Sequence, residues 1–191
     1  MPPPWPERLV LRFESGVAWG SRRLDGADKK DAFSHNGVTL GVSLLGRAVL
    51  APRWALLFGP SYTYWRANDE TKDDIDYIRA NSHHLAGRLE LAIGVGRRWR
   101  DAVSVHPGLE LGIQSVFHAP SDPKNGVLAE SRRGPSFVAS VGVCFASGSL
   151  CMAGRVGQAI ADADDSPTVA VTLGVHIFGA VRAYRARRGR R

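Results

Sequence analysis

Apolar residues recur at every second position through most of the chain, in eight segments separated by polar or turn-forming stretches. A period of two is typical of β-strands whose two faces differ in chemistry. In the fourth segment, for example, Leu89, Leu91 and Ile93 share one face, whereas Arg88 and Glu90 share the other. The pattern therefore predicts an all-β protein of eight strands. The segments run from Leu9 to Trp19, Val38 to Leu50, Trp54 to Tyr64, Leu85 to Val95, Val103 to Phe117, Phe137 to Phe145, Leu150 to Ile160 and Val169 to Ile177.

The second face of the segments distinguishes two kinds of barrel. A strand surface in water is usually rich in Lys, Glu, Thr and Gln, but this face is mostly Gly, Ala and Ser with an occasional charge. Small residues with a few charges fit the narrow interior of an eight-stranded barrel. The bulky face would then contact lipid. The alternative is a soluble lipocalin-like barrel that holds an apolar ligand inside.

The connections between the segments differ in length in a regular way. Those after the first, third and fifth segments are long and polar, and the one after the seventh is shorter but equally polar. Those after the second, fourth and sixth are short, as at Pro52, 97–101 and 147–148. In an antiparallel meander alternate connections emerge on the same side, so the long loops are predicted at one end and the short turns at the other.

This arrangement, with short turns at the end shared by both termini, resembles the small outer-membrane barrels of the OmpA/OmpX type. The resemblance covers about residues 8–184 and rests on pattern, without a signature motif. It implies an eight-stranded, up-and-down, antiparallel transmembrane β-barrel in the outer membrane of a Gram-negative bacterium, with the long loops extracellular. Residues 1–7 would form an N-terminal extension and residues 185–191 a basic C-terminal tail.

The sequence departs from that type in two respects. Such barrels end on a strand with a terminal aromatic residue, whereas here the partial match at 172–177 continues into an arginine-rich tail. Aromatic residues are only 8% of the chain, so the belt of aromatic residues at the membrane interface is expected to be thin. Its candidates are Trp19, Trp54, Tyr62, Tyr64, Trp65 and Trp99.

Charged and histidine residues on the small-residue face form the candidate site. Burying such groups unpaired is costly, so opposite charges in one confined interior are expected to pair. We expect a salt-bridged network that fills and closes the lumen, with a narrow ion path or an internal binding site as the alternative. The predicted members are Arg12, Glu14, Arg47, Arg88, Glu90, His106, Glu110, Arg155 and His176.

Cys144 and Cys151 are the two cysteines, and they lie symmetrically about the predicted turn at Ser147 and Gly148. They should therefore face each other across two strands, at a separation that a disulfide allows. An exported protein would oxidise them, whereas a cytosolic one would keep a reduced pair. We expect the disulfide, and no further Cys or His stands close enough in sequence to complete a zinc motif.

The net charge of +7 arises mainly from the C-terminus, because six of the last ten residues are arginine. Without them the chain carries 19 basic and 18 acidic residues, so the charge is no evidence for nucleic-acid binding. A solvated tail is the simplest interpretation, and contact with anionic lipid or another acidic partner is the alternative. We expect a monomer whose partners are membrane lipids. The sequence identifies no particular partner for the long loops.

Catalysis has little support in the sequence. His35 and the pair His83 and His84 lie near predicted loop ends, and a lipid-modifying outer-membrane hydrolase using them is a second alternative. No G-x-S-x-G spacing or comparable constellation accompanies them, and the glycines form no phosphate-binding loop. We therefore assign no catalytic residue and expect neither a cofactor nor a metal.

The first residues bear on localisation. Residues 1–7 have neither a basic segment nor an apolar core of the kind that begins a signal peptide. This counts against export, and an in-frame signal peptide encoded upstream of Met1 would remove the objection. Localisation in the bacterial outer membrane thus stays a prediction from the barrel pattern.

Overall fold

The computed structural model describes residues 9–23, 32–70, 77–95, 103–120, 130–145, 149–159 and 168–176. They form eight strands that pair in chain order, each antiparallel to the next, and the eighth pairs with the first. The predicted eight-stranded, up-and-down barrel is confirmed. The strands are β1 (Leu9–Arg23), β2 (Ala32–Ala51), β3 (Trp54–Glu70), β4 (Tyr77–Val95), β5 (Val103–Pro120), β6 (Glu130–Phe145), β7 (Leu150–Ala159) and β8 (Thr168–His176).

The stagger of the strands sets the shape of the barrel. If the paired residues are followed once around the sheet from Leu9, the path returns to β1 at Trp19, ten residues further along. Such a stagger in eight strands goes with a tilt of about 40° to the barrel axis. The barrel is therefore narrow enough for side chains from opposite strands to meet.

Several strands extend further than the apolar alternation predicts. β2 begins at Ala32, β3 continues to Glu70 and β6 begins at Glu130, all within stretches expected to be loops. The extra strand length comes from backbone hydrogen bonds, because polar residues can continue to pair with a neighbouring strand without an apolar face to bury. At the end of β3, for example, Glu70 pairs with Tyr77. The predicted strand ends at Ile160 and Ile177 lie outside the described residues.

The outer face of the barrel is apolar on every strand. Large hydrophobic side chains there are 37–64% exposed, which is the reverse of a soluble fold. They include Leu9, Phe13, Val17, Val38, Leu40, Leu44, Phe58, Leu85, Leu89, Leu109, Leu111, Ile113, Phe137, Val141, Met152, Val156, Val171, Leu173 and Val175.

The inner face is small, polar and charged, except at the end with the short turns. There the buried inward side chains form a compact apolar cluster. It consists of Val10, Leu45, Ala55, Leu57 and Ala92. Within the part of the chain that the structure describes, no helix has the length and apolarity needed to cross a membrane.

Two inward-facing glycines let strands approach closely. A Cβ on Gly112 would lie 2.1 Å from the carbonyl oxygen of Leu85, and a Cβ on Gly16 would lie 1.9 Å from that of Val171. No real side chain tolerates such contacts, so any larger residue would force the strands apart. The ladders β4–β5 and β1–β8 depend on glycine here.

Candidate functional site

The candidate site is the network of charged side chains inside the barrel, which begins with a repeated local pattern. Arg12 and Glu14 lie two residues apart on β1, and Arg88 and Glu90 lie two residues apart on β4. Alternation directs both members of each pair into the lumen. Because β1 and β4 run in opposite directions, the arginine of one strand comes to face the glutamate of the other.

The two strands are joined by reciprocal, two-pronged ion pairs. Both terminal nitrogens of Arg12 donate to Glu90, at 2.6 and 2.8 Å, and both terminal nitrogens of Arg88 donate to Glu14, at 2.6 and 3.0 Å. The Nε of Arg88 donates to Glu90 as well. Planar guanidinium groups match carboxylates in this geometry, which makes such pairs among the strongest in proteins.

A third pair extends the network to the other side of the barrel. Arg155 on β7 donates to Glu110 on β5 at 2.6 Å, and its other terminal nitrogen lies 3.5 Å from Glu14. Arg88 lies 3.5 Å from Glu110. The ion pairs therefore connect β1, β4, β5 and β7 in one continuous set of contacts.

Two histidines complete the network toward the short-turn end. The Nε of Arg12 donates to Nε2 of His176 at 2.6 Å, so that nitrogen of His176 acts as an acceptor. His106 places Nδ1 3.4 Å from Glu90, while its Nε2 lies 2.9 Å from the hydroxyl of Ser104. Each histidine thus contacts one member of the ion-pair network, His176 through Arg12 and His106 through Glu90.

Burial and charge balance decide what this arrangement can do. Among the described side chains buried in the lumen, Arg12, Arg88 and Arg155 face three carboxylates, of which Glu90 is 1% and Glu110 0% exposed. A cavity beside the network has a volume of only about 10 Å³, too small for more than one water molecule. In this part of the barrel the buried ion pairs join strands on opposite sides of the interior.

Cys144 and Cys151 form a disulfide between β6 and β7, and they lie directly opposite each other as the symmetry about the turn predicted. Both are buried on the inner face, and the sulfur of Cys151 lies 3.4 Å from Nε2 of His176. The three residues form the one metal-sized group of ligands among the described residues. With both sulfurs in the disulfide, only the imidazole has a ligand atom to offer.

The other predicted site residues lie where alternation places them, with one correction. Arg47 is half-buried on the inner face, while Trp54 and Tyr62 are exposed on the outer face, as is Trp19. Trp65 was expected among the interfacial aromatic residues, and this is wrong. It lies at an odd position of β3, on the face of Ser61 and Thr63, and is directed inward. Tyr64 faces outward, and Trp99 lies outside the described residues.

Three members of the lumen were missed in the sequence. Ser61 donates to Glu110 at 3.2 Å, Thr63 accepts from Arg155 at 3.4 Å, and Nδ1 of His84 lies 3.8 Å from Glu110. The signal that could have found His84 is its spacing, because it lies four and six residues before Arg88 and Glu90 on one face of β4. The two hydroxyl residues carry no such signal beyond their position in the alternation.

The comparisons with known proteins concern the shape of the barrel. No family model and no curated protein matches the chain. Among solved structures, it is similar to Ail, the attachment invasion locus protein of Yersinia pestis, with 13% identity and a TM-score of 0.47, covering 89% of this chain and 99% of that one. The same protein in complex with the heparin analogue sucrose octasulfate gives 16% identity and a TM-score of 0.48, covering 89% and 98%.

Fold and interior together define the class of this protein as a small antiparallel barrel of eight strands, apolar outside and charged inside. The distant likeness to Ail concerns the fold alone.

Proposed function

We propose that this protein is an outer-membrane β-barrel with a closed, salt-bridged lumen, which acts as a scaffold for the long loops at one end. Its role would then be structural or would lie in the interactions of those loops. The observation that carries the proposal is the continuous apolar outer face, since monomeric soluble proteins rarely expose apolar patches of this extent.

The lumen supports the non-conducting part of the proposal. A conducting pore needs a continuous polar path, whereas here guanidinium and carboxylate groups from opposite strands meet in the middle of the barrel. An ion would have to separate buried, two-pronged pairs to pass, and each separation would expose unpaired charges to a poorly hydrated interior. The network is therefore better suited to holding the barrel shut than to guiding ions.

The outer face argues against the soluble, lipocalin-like alternative. A lipocalin-like barrel keeps apolar side chains inside and polar ones outside. Here the described residues show the opposite distribution, and the interior is filled by charged groups where an apolar ligand would have to lie.

The hydrolase alternative gains no support from the described residues. His84 lies in the lumen instead of at the lipid surface, and its Nε2 has no hydrogen-bond partner among them. A nucleophile within hydrogen-bond reach of that nitrogen would be required. The side chain of His35 lies outside the described part of the chain.

Membrane insertion is tested by folding the protein into detergent and into lipid vesicles. A membrane barrel should remain folded there, migrate differently on a gel before and after boiling, and precipitate when detergent is removed. A clean monomer in plain buffer would overturn the proposal. Lumen closure is tested separately in planar bilayers, where stable conductance by the inserted protein would disprove the closed lumen and leave the barrel intact.

A further inference from the structure

The outer face changes its chemistry at the long-loop end of β3, β4 and β6. On β1, β2, β5, β7 and β8 the last outward side chains that the structure describes toward this end are apolar, and on β5 this residue is Phe117. On β3 and β6 they are exposed arginines, Arg66 and Arg133, and on β4 the last is Asn81, preceded by His83. One side of the barrel therefore presents a polar, basic surface at the level where membrane headgroups would lie.

Backbone pairing brings these residues into neighbouring rows. One row crosses β3, β4, β5 and β6 as Tyr64, His83, Ser115 and Arg133, each directly paired with the next. Beside it, Arg66 pairs with Asn81. The two arginines thus flank the surface, one on β3 and the other on β6. Three strand spacings across the sheet, or roughly 14 Å, and two residues along the strands, or roughly 7 Å, separate them.

The centre of the surface is held in place by hydrogen bonds and ring contacts. The hydroxyl of Tyr62 lies 2.7 Å from Nδ1 of His83, and the hydroxyl of Tyr64 donates to Asn81 at 2.9 Å. The ring of His83 also contacts those of Tyr64 and Phe117, at centroid distances of 5.2 and 5.9 Å. These polar groups are preorganised on a face that is otherwise apolar.

The described charges on this surface are all positive. Among the side chains that the structure describes, all three carboxylates, Glu14, Glu90 and Glu110, are directed into the lumen. Arg66 and Arg133 thus have no described carboxylate beside them on the outer face. Guanidinium groups bind phosphate in a two-pronged geometry, and tyrosine, histidine and asparagine can hydrogen-bond to sugar hydroxyls.

We propose that Arg66 and Arg133, with His83 and Asn81 between them, bind the headgroup of a phosphorylated glycolipid of the outer leaflet. A sugar headgroup with two phosphates is broad enough to meet both arginines at once, whereas a phospholipid with one phosphate meets one at a time. This inference rests on the proposed function, because it needs the barrel in an outer membrane with its long loops outward.

The test uses the full-length protein folded in detergent, with lipid binding followed by native mass spectrometry. The probes are bisphosphorylated lipid A, its dephosphorylated form and phosphatidylglycerol. We expect the unmodified protein to prefer bisphosphorylated lipid A at least about tenfold over the dephosphorylated form. The double variant Arg66→Gln/Arg133→Gln should lose that preference, and Arg66→Lys/Arg133→Lys should restore most of it.

Arg53→Gln is the matched control, because Arg53 is also exposed but lies at the short-turn end; it should keep the preference. Equal binding of the phosphorylated and dephosphorylated forms, or an undiminished preference in the glutamine variant, would overturn the inference. Equal binding of phosphatidylglycerol would overturn the glycolipid assignment in favour of general attraction to anionic lipid.

Heat-dependent gel migration of the same samples separates the two proposals. A folded, heat-modifiable barrel without lipid preference would overturn only the glycolipid site. A protein that stays folded and monomeric without detergent would overturn the site and the membrane barrel together.

Discussion

Leu89 and its neighbours Arg88 and Glu90 occupy consecutive positions of one strand, but they depend on their surroundings in opposite ways. Leu89 is 48% exposed on the outer face and needs only an apolar medium. Arg88 and Glu90 are buried among specific partners from other strands, and each would be costly to bury alone. The outer face should therefore tolerate any apolar residue, whereas the inner face should tolerate almost no single change.

The largest effect is expected from Glu90→Gln, which leaves Arg12 and Arg88 without their shared carboxylate. We predict a loss of about 3–5 kcal/mol in the free energy of unfolding, measured by urea titration of the protein folded in lipid vesicles. A double-mutant cycle with Arg12 should give a coupling energy above about 1 kcal/mol. The same cycle between Arg12 and Glu110, which do not pair directly, should give much less. A cost no greater than that of Leu89→Ala would contradict the role of the network.

The second prediction reverses the chemistry of the outer face. Leu89→Arg places a charge against lipid in the middle of the apolar belt, and should cost about 2–4 kcal/mol in the same assay. Leu89→Ala is the control, with an expected cost of about 1 kcal/mol, because it only removes apolar contact. If the arginine variant were as stable as the alanine variant in vesicles, Leu89 would not face the membrane.

The third prediction concerns the disulfide on the inner face. Replacing Cys144 and Cys151 by serine opens a short loop, since the two residues are seven positions apart. The entropic model predicts a loss of about 2.5 kcal/mol for so short a loop. The intact mass of exported protein should also rise by about two daltons on reduction, since each sulfur gains a hydrogen. An unchanged mass would show that the pair is reduced in the cell.

The smallest effect is expected from adding a single methyl group to one face of the barrel or the other. Gly112→Ala puts a methyl group against Leu85 and Ala86 on the inner side of the β4–β5 ladder, and should cost roughly 1–2 kcal/mol. Gly154→Ala is the matched control, because a Cβ there meets nothing within 4 Å. Equal stabilities of the two variants would mean that the strands can separate without cost, and the close approach would lose its significance.

Much of the fold follows from local sequence, and particular residues show where that reasoning ends. Alternation alone places Arg88 inside and Leu89 outside, and symmetry about a turn places Cys144 opposite Cys151. The partner of Arg88 is different, because Glu14 meets it only through the ten-residue stagger of the closed sheet. Alternation does not determine that stagger, so the sequence predicted which charges are inside but not which ones pair.

Trp65 shows a second limit. A tryptophan near the end of a strand suggests the membrane interface, but the parity of its position directs it inward. The residue type predicted an outward side chain and the position in the alternation predicted an inward one, and the side chain is directed inward. The extra length of β2 and β3 could not be predicted either, because polar residues that extend a strand beyond the apolar belt have the same composition as a loop.

The closure of the barrel between β1 and β8 has a consequence for folding. Arg12 and His176 are paired across this seam although 164 residues separate them in the chain. Contacts between such distant residues form slowly, since a long loop must close before they contribute any stability. Until β8 has been made, β1 has an unpaired edge and the guanidinium of Arg12 lacks its acceptor on that strand. The first strand to be synthesised is thus completed only by the last, which exposes the nascent protein to edge-to-edge association until the final strand docks.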